Sequence, residues 1–200
     1  MSLVFIDKVP GDKNAFAAKV KQVASALGIP ADWLMAVMEL ETAGTFNPAI
    51  QNSIGATGLI QFMPSTAIGL GTTVAALKQM NAVQQLDYVK AYYWPYRSKI
   101  KRYADLYIAT LFPAALGKDR SFVLQTSNLS AATIANANPY FDLNRDSQIT
   151  VGEIEDKLLL RIPDELRSFF SSKKKLITLG GLILIGTVSV AVYLYQSGLK

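Results

Sequence analysis

The sequence predicts a mainly α protein that ends in a single membrane-crossing helix. Three observations carry that prediction. Apolar residues recur at helical spacing through most of the chain, no long alternating strand pattern or internal repeat interrupts them, and residues 176–195 contain no charge. A length of 200 residues suits one domain plus appendages.

Phe16, Val20, Val23 and Leu27 share one face of a first helix, which Asp12 can cap and Gly28 can end. Pro30 opens a second helix, with Trp33, Leu34, Val37 and Met38 as its apolar contacts, running to Glu41. Further helices are expected at 65–68, 73–80, 82–93, 104–111 and 151–160, followed by an amphipathic connector over 162–172 whose Phe169 and Phe170 can touch a bilayer surface. The charge-free run from Leu176 to Tyr195 is long enough, at about 30 Å as a helix, to match the hydrocarbon thickness of a lipid bilayer. Lys173, Lys174 and Lys175 precede it and Tyr193 and Tyr195 close it, as flanks of a span should. A helix in a soluble domain this small would rarely be apolar on every side, so a C-terminal membrane anchor is expected. By the positive-inside rule the lysines leave the large domain on the cytoplasmic side, and the segment Met1–Asp7 carries no secretory signal.

Composition narrows the chemistry. There is no histidine and no cysteine, which removes Ser-His and Cys-His nucleophiles and zinc sites built on imidazole or thiolate. Acid-base work near neutral pH must then fall to a carboxylate, a lysine or a tyrosine. The formal charge is a modest +5. Its richest basic run, Arg97 to Arg102, lies near Tyr92, Tyr93, Trp94 and Tyr96, a combination that nucleic-acid surfaces also use. The preferred reading is a solvated basic surface drawn to an anionic cell wall, and no nucleic-acid partner is expected.

Glu39 and Glu41 are separated by about 200° around a helix, so they cannot flank one bond as a pair. One must face a cleft and the other solvent or a basic neighbour. The segment Thr42-Ala43-Gly44-Thr45-Phe46-Asn47-Pro48 is rich in small and turn-forming residues, as a helix opening into a groove requires, which favours Glu41. Downstream, Gly55 and Gly58 permit backbone shapes barred to other residues, and Gln61 offers both a donor and an acceptor to sugar groups. Pro64, Ser65 and Thr66 then start a helix.

Across residues 15 to 120 this arrangement resembles the lytic transglycosylases, lysozyme-like enzymes that cleave the glycan strands of bacterial peptidoglycan. The family pattern has glutamate followed by serine, then Gly-Leu-Met-Gln, then a tyrosine-containing block. Here stand Glu41-Thr42 and Gly58-Leu59-Ile60-Gln61, while Asp105 to Ala115 occupies the third place without the usual Tyr-Asn pair. The resemblance implies that Glu41, kept protonated by an apolar cleft, protonates the glycosidic oxygen between N-acetylmuramic acid and N-acetylglucosamine. It then acts as base on the muramic 6-hydroxyl, closing a 1,6-anhydro ring. Thr42, Gly58, Gln61, Phe62 and Tyr107 are the implied substrate-side residues. Most glycosidases need two carboxylates. The other acids nearby, Asp32, Glu39, Asp87, Asp105 and Asp119, fall outside the matching motifs, which favours the single-acid route. The alternatives are a catalytically idle glycan-binding membrane protein and a muramidase- or chitinase-type hydrolase. A wall-cleaving domain on the cytoplasmic side needs another delivery route, such as carriage in a membrane-containing virus particle.

Residues 141–153 resemble an EF-hand calcium loop. Asp142, Asn144, Asp146 and Glu153 fall at loop positions one, three, five and twelve, Gln148 offers its carbonyl at seven, and Thr150 acts at nine. Ser147 replaces the glycine of the sharp turn, at a cost of about 1 kcal/mol. A structural Ca2+ is expected here, with no cofactor required for catalysis. The expected organisation is a lysozyme-like transglycosylase domain over 1–135, the calcium loop and exiting helix over 136–165, a basic connector over 166–175 and a transmembrane helix over 176–195.

Overall fold

Asp12 and Gly28 bound the first helix as their chemistry predicts. In α1 (Lys13–Leu27), the Asp12 carboxylate accepts the Asn14 and Ala15 N–H groups, and Gly28, at φ +64°, returns its N–H to the Ala24 and Ser25 carbonyls. Here, and throughout, the protein is described from a computed structural model, which describes residues 2–160 and 162–171 in full and residues 175–179 and 182–186 by their backbone. The chain bends by 114° at residues 28–30 into α2 (Ala31–Glu41). Then follow α3 (Pro64–Gly69), α4 (Val74–Gln79), capped by Thr73, and α5 (Ala82–Tyr93), opened by a reciprocal Asn81–Gln84 capping box. The remaining helices are α6 (Tyr103–Leu111), α7 (Ala131–Ala137), α8 (Val151–Leu159) and α9 (Asp164–Ser171). Helix α7 was not expected, because Ile134 is its one large apolar residue and offers no period to read.

Helices α2 and α6 form the centre. From Trp33 to Glu41 and from Tyr103 to Leu111 every residue is buried, and Trp33 meets Tyr103 edge-on at 6.4 Å. Helix α1 packs against both α2 and α5. Phe141, Ile149, Val151, Ile154 and Leu158 belong to the same buried cluster, so the boundary expected at residue 135 does not coincide with a break in the core. Backbone bonds from Leu124 to Ile149 (2.8 Å) and from Val151 to Phe122 (3.0 Å) stitch the 141–153 loop to the preceding segment.

The C-terminal expectations change. Helix α9 occupies the amphipathic connector, but Phe170 is buried against Tyr103 at 5.1 Å rather than presented to a bilayer. Beyond it, β1 (Lys175–Leu179) pairs antiparallel with β2 (Leu182–Gly186). Where the expected transmembrane helix is described, it is therefore two short strands; residues 180, 181 and 187–195 lie outside the described residues. Two apolar runs separated by Gly180-Gly181 are a hairpin signal that competes with the helical reading. The premise behind that helix also fails, since α2 and α6 are buried on all sides within this small core. Among the described residues no single helix is long and apolar enough to cross a membrane.

Candidate active site

Glu41 is the last residue of α2 and is 7 % exposed. Directly after it the chain reverses. Ala43 (φ +50°), Gly44 (+80°) and Phe46 (+49°) all take left-handed conformations, which cost a residue with a side chain about 1–2 kcal/mol each. Local bonds hold this shape. Gly44 gives its N–H to the Glu39 carbonyl at 2.6 Å, and the Phe46 ring is buried 6.0 Å from Phe16. The Thr42 hydroxyl donates to the Met38 carbonyl (2.7 Å) and accepts the Phe46 N–H (2.9 Å). Glu39, two residues back, is buried in an ion pair with Lys8, so the two glutamates part as their helical spacing requires.

Glu41 lies in electrostatic reach of two phenols. Burial first, and then the neighbouring charges of Tyr96 and Glu41, push the Tyr92 phenol well above its ordinary range. Burial likewise raises Tyr93, with Tyr92 and Glu41 adding to the effect against a hydrogen bond to Thr110 that lowers it. Both rings therefore stay neutral near pH 7. The Tyr92 hydroxyl donates to the Ala109 carbonyl at 2.8 Å. On its other side Tyr92 lines a groove of about 630 Å3. Met63, Ser65 and Thr66 at the start of α3 form one wall, Tyr92, Pro95 and Tyr96 another, and Leu111, Phe112 and Leu129 a third. No lining residue is charged. Glu41 is not itself among them.

Residues 19–91 match the family model of the transglycosylase SLT domain. The matched stretch runs from within α1 to near the end of α5 and includes both Glu41 and the Gly58–Gln61 turn. It supports a lysozyme-like helical fold and a lytic transglycosylase-type function acting on peptidoglycan. Neither a curated protein nor a solved structure matches the chain.

Within the SLT segment, the glycine-rich stretch forms a small hairpin. Thr57 and Phe62 exchange backbone bonds of 3.0 and 2.8 Å, with Gly58 at φ +83° and Gln61 at +50° between them. The Gln61 amide donates to the Gly58 carbonyl at 3.1 Å, which folds this side chain onto its own turn. Phe62 is buried with its ring edge-on to Tyr92 at 6.3 Å. Of the expected substrate contacts, Thr42 is fully buried and its hydroxyl serves the turn after Glu41, while the Tyr107 ring is buried 5.7 Å from the Phe141 ring. The other acids are held elsewhere: Asp32 accepts the Val4 N–H (2.8 Å), Asp87 pairs with Lys19 (2.6 Å), and Asp105 pairs with Arg102 (2.8 Å).

The groove residues Met63, Tyr92, Tyr96, Phe112 and Leu129 were not singled out as substrate contacts by the motifs. The dense run Tyr92-Tyr93-Trp94-Pro95-Tyr96 was their signal, and it had been weighed as a nucleic-acid surface. In the fold Tyr93 is core, Tyr92 lines the groove, and the Arg97 guanidinium stacks 4.0 Å from the Trp94 ring centre.

The 141–153 loop adopts part of the expected shape. Ser147 takes the left-handed φ of +62°, as its position demands. Asp142 accepts the Asp146 and Ser147 N–H groups (3.1 and 3.0 Å), Asn144 accepts that of Asp146 (2.9 Å), and Asp146 accepts that of Gln148 (2.9 Å). Glu153 turns back to cap α8, accepting the Thr150 N–H and hydroxyl (both 2.8 Å) and the Leu143 N–H (3.1 Å). Among the described residues no three acidic, histidine or cysteine groups stand together as a metal cage. Within the loop Asp142, Asp146 and Glu153 accept backbone amides.

Proposed function

We propose that this protein is a peptidoglycan lytic transglycosylase that cleaves the bond between N-acetylmuramic acid and N-acetylglucosamine with formation of 1,6-anhydro-muramic acid. The carrying observation is Glu41: it stands inside the matched SLT segment, buried at the end of α2, and within electrostatic reach of Tyr92, which lines an uncharged groove. Aromatic and apolar walls suit the faces of neutral sugar rings. Glu41 donates its proton to the glycosidic oxygen as the C1–O bond breaks, and the muramic 6-hydroxyl attacks C1 while its proton returns to Glu41. No water is consumed and the acid is regenerated. The engagement of Asp32, Glu39, Asp87 and Asp105 with other partners favours one acid over the two-carboxylate route.

Membrane attachment through the charge-free segment 176–195 rests on composition, and local wall opening during virus entry or release rests on the delivery route that a domain on the cytoplasmic side would need. Calcium enters only as a ligand of the 142–153 loop. Because Ser147 stands where the sharp turn normally takes glycine, calorimetric titration is expected to give a Kd of about 10⁻⁴–10⁻³ M, the weak end for such loops. The absence of both heat and thermal stabilisation at millimolar calcium would remove the ion.

Digestion of purified sacculi followed by mass spectrometry tests the reaction. Products lacking the elements of water support the transglycosylase. Hydrated products favour a muramidase, and glycan binding without any product favours an idle binding protein.

A further inference from the structure

Two adjacent glutamines near the start of α5 have opposite roles. Gln84 is exposed and belongs to the cap. Gln85 is 0 % exposed, and its amide bonds to three separate segments. Its Oε1 accepts the Leu59 N–H at 3.0 Å, and its Nε2 donates to the Pro48 carbonyl at 2.6 Å and the Leu77 carbonyl at 2.8 Å. Pro48 and Leu59 lie on the two arms of the loop that leads away from Glu41, and Leu77 lies in α4. The fit is tight: a Cβ on Gly58 would fall 2.4 Å from Gln85 Oε1. Seven positions further along α5, on the same face, Tyr92 receives the Phe62 ring edge at 6.3 Å. Helix α5 thus grips the Gly58–Phe62 turn at both ends, with Gln85 at its start and Tyr92 at its finish.

We propose that Gln85 is a positioning residue for the glycan-cleaving site: its buried amide sets the Gly58–Phe62 turn and, through Phe62 and Tyr92, one wall of the groove. The inference rests on the function proposed above. Nothing in the family motif marks this glutamine; its role comes from three hydrogen bonds and one steric limit.

Gln85→Glu keeps the side-chain length and the acceptor for Leu59 but sets an oxygen against the Pro48 and Leu77 carbonyls. At neutral pH its kcat on soluble glycan strands is expected to fall about 100-fold, the scale of a small misplacement near reacting groups, with KM nearly unchanged. Acidification protonates the introduced carboxylate, which can then donate to one of the two carbonyls. Part of the lost kcat, measured against the wild type at the same pH, should return, a recovery that general loosening of the fold does not produce. Amide hydrogen exchange over residues 57–62 needs no turnover and should accelerate across the turn, because the side chain that holds it has lost its bonds to Pro48 and Leu77. If the wild-type protein releases no product, the proposed function falls, and the exchange result alone decides whether Gln85 holds the turn. Wild-type kcat, unaltered exchange, or a loss without acid recovery in a folded Gln85→Glu protein overturns the proposal. Should that variant fail to fold, Gly58→Ala disturbs the same contact from the turn side; full activity there overturns it equally.

Discussion

Glu41→Gln is expected to reduce release of anhydro-muropeptides from sacculi by about 10²–10⁴-fold, the usual contribution of a positioned general acid-base. The substitution keeps the size of the side chain and one carbonyl acceptor, and replaces the titratable oxygen by an amide NH2 that neither gives nor takes the catalytic proton. Folding should change by less than about 1 kcal/mol, within the ordinary range for a point substitution. Glycan affinity, measured by co-sedimentation with sacculi, should survive, because the groove is lined by other residues. Full turnover in this variant would take Glu41 out of the mechanism. Loss of turnover together with loss of binding would instead point to a collapsed site, which circular dichroism and a melting curve can identify.

The second large effect concerns stability. Asp105 is 2 % exposed, and its carboxylate accepts the Lys101 and Arg102 N–H groups, both at 2.9 Å, and the Arg102 guanidinium at 2.8 and 3.2 Å. Arg102 also reaches Glu155 at 2.8 Å, linking α6 to α8, and Arg120 closes the network to Glu155 and Asp156. Removing the carboxylate leaves Arg102 with Glu155 as its one acidic partner in this network and strips the Lys101 and Arg102 N–H groups of their acceptor, at about 1–3 kcal/mol for a buried group left unsatisfied. Asp105→Ala is therefore expected to lower Tm by roughly 2–4 °C for each kcal/mol lost in a domain of this size. Asp105→Asn, which keeps one acceptor for the amides at the start of α6, should fall between the two. An unchanged Tm in the alanine variant would show that the network contributes little. Because Asp105 lies outside the matched SLT segment and Glu41 within it, specific activity at a temperature where both proteins are folded should remain near that of the wild type.

The contrast between these two residues explains what could be read ahead of the fold. Both are buried carboxylates at helix ends. Glu41 was legible because its neighbours form a motif, and because small residues after it signal a helix opening. Asp105 stands in no motif; its bonds to Lys101 and Arg102 are local, but its burial and the onward link through Arg102 to Glu155 come from far along the chain. The surroundings of Thr42 and Tyr107 were not legible for the same reason. A hydroxyl that follows a catalytic glutamate and one in an aromatic block look available in the sequence; in the fold the first bonds Met38 and Phe46, and the ring that carries the second lies against Phe141.

What the chain determines by itself is local: the cap at Asp12, the stop at Gly28, the divergence of Glu39 from Glu41, and the left-handed positions at Gly58 and Ser147. These follow from sterics and hydrogen bonds within a few residues, so the order of letters suffices. Only tertiary packing decided that α2 and α6 are buried on every side, that Gln85 faces inward while Gln84 does not, and that Tyr92 lines a groove assembled from four separate segments. Burial is a property of the assembled core, and no single helix carries the information about which of its faces will meet another.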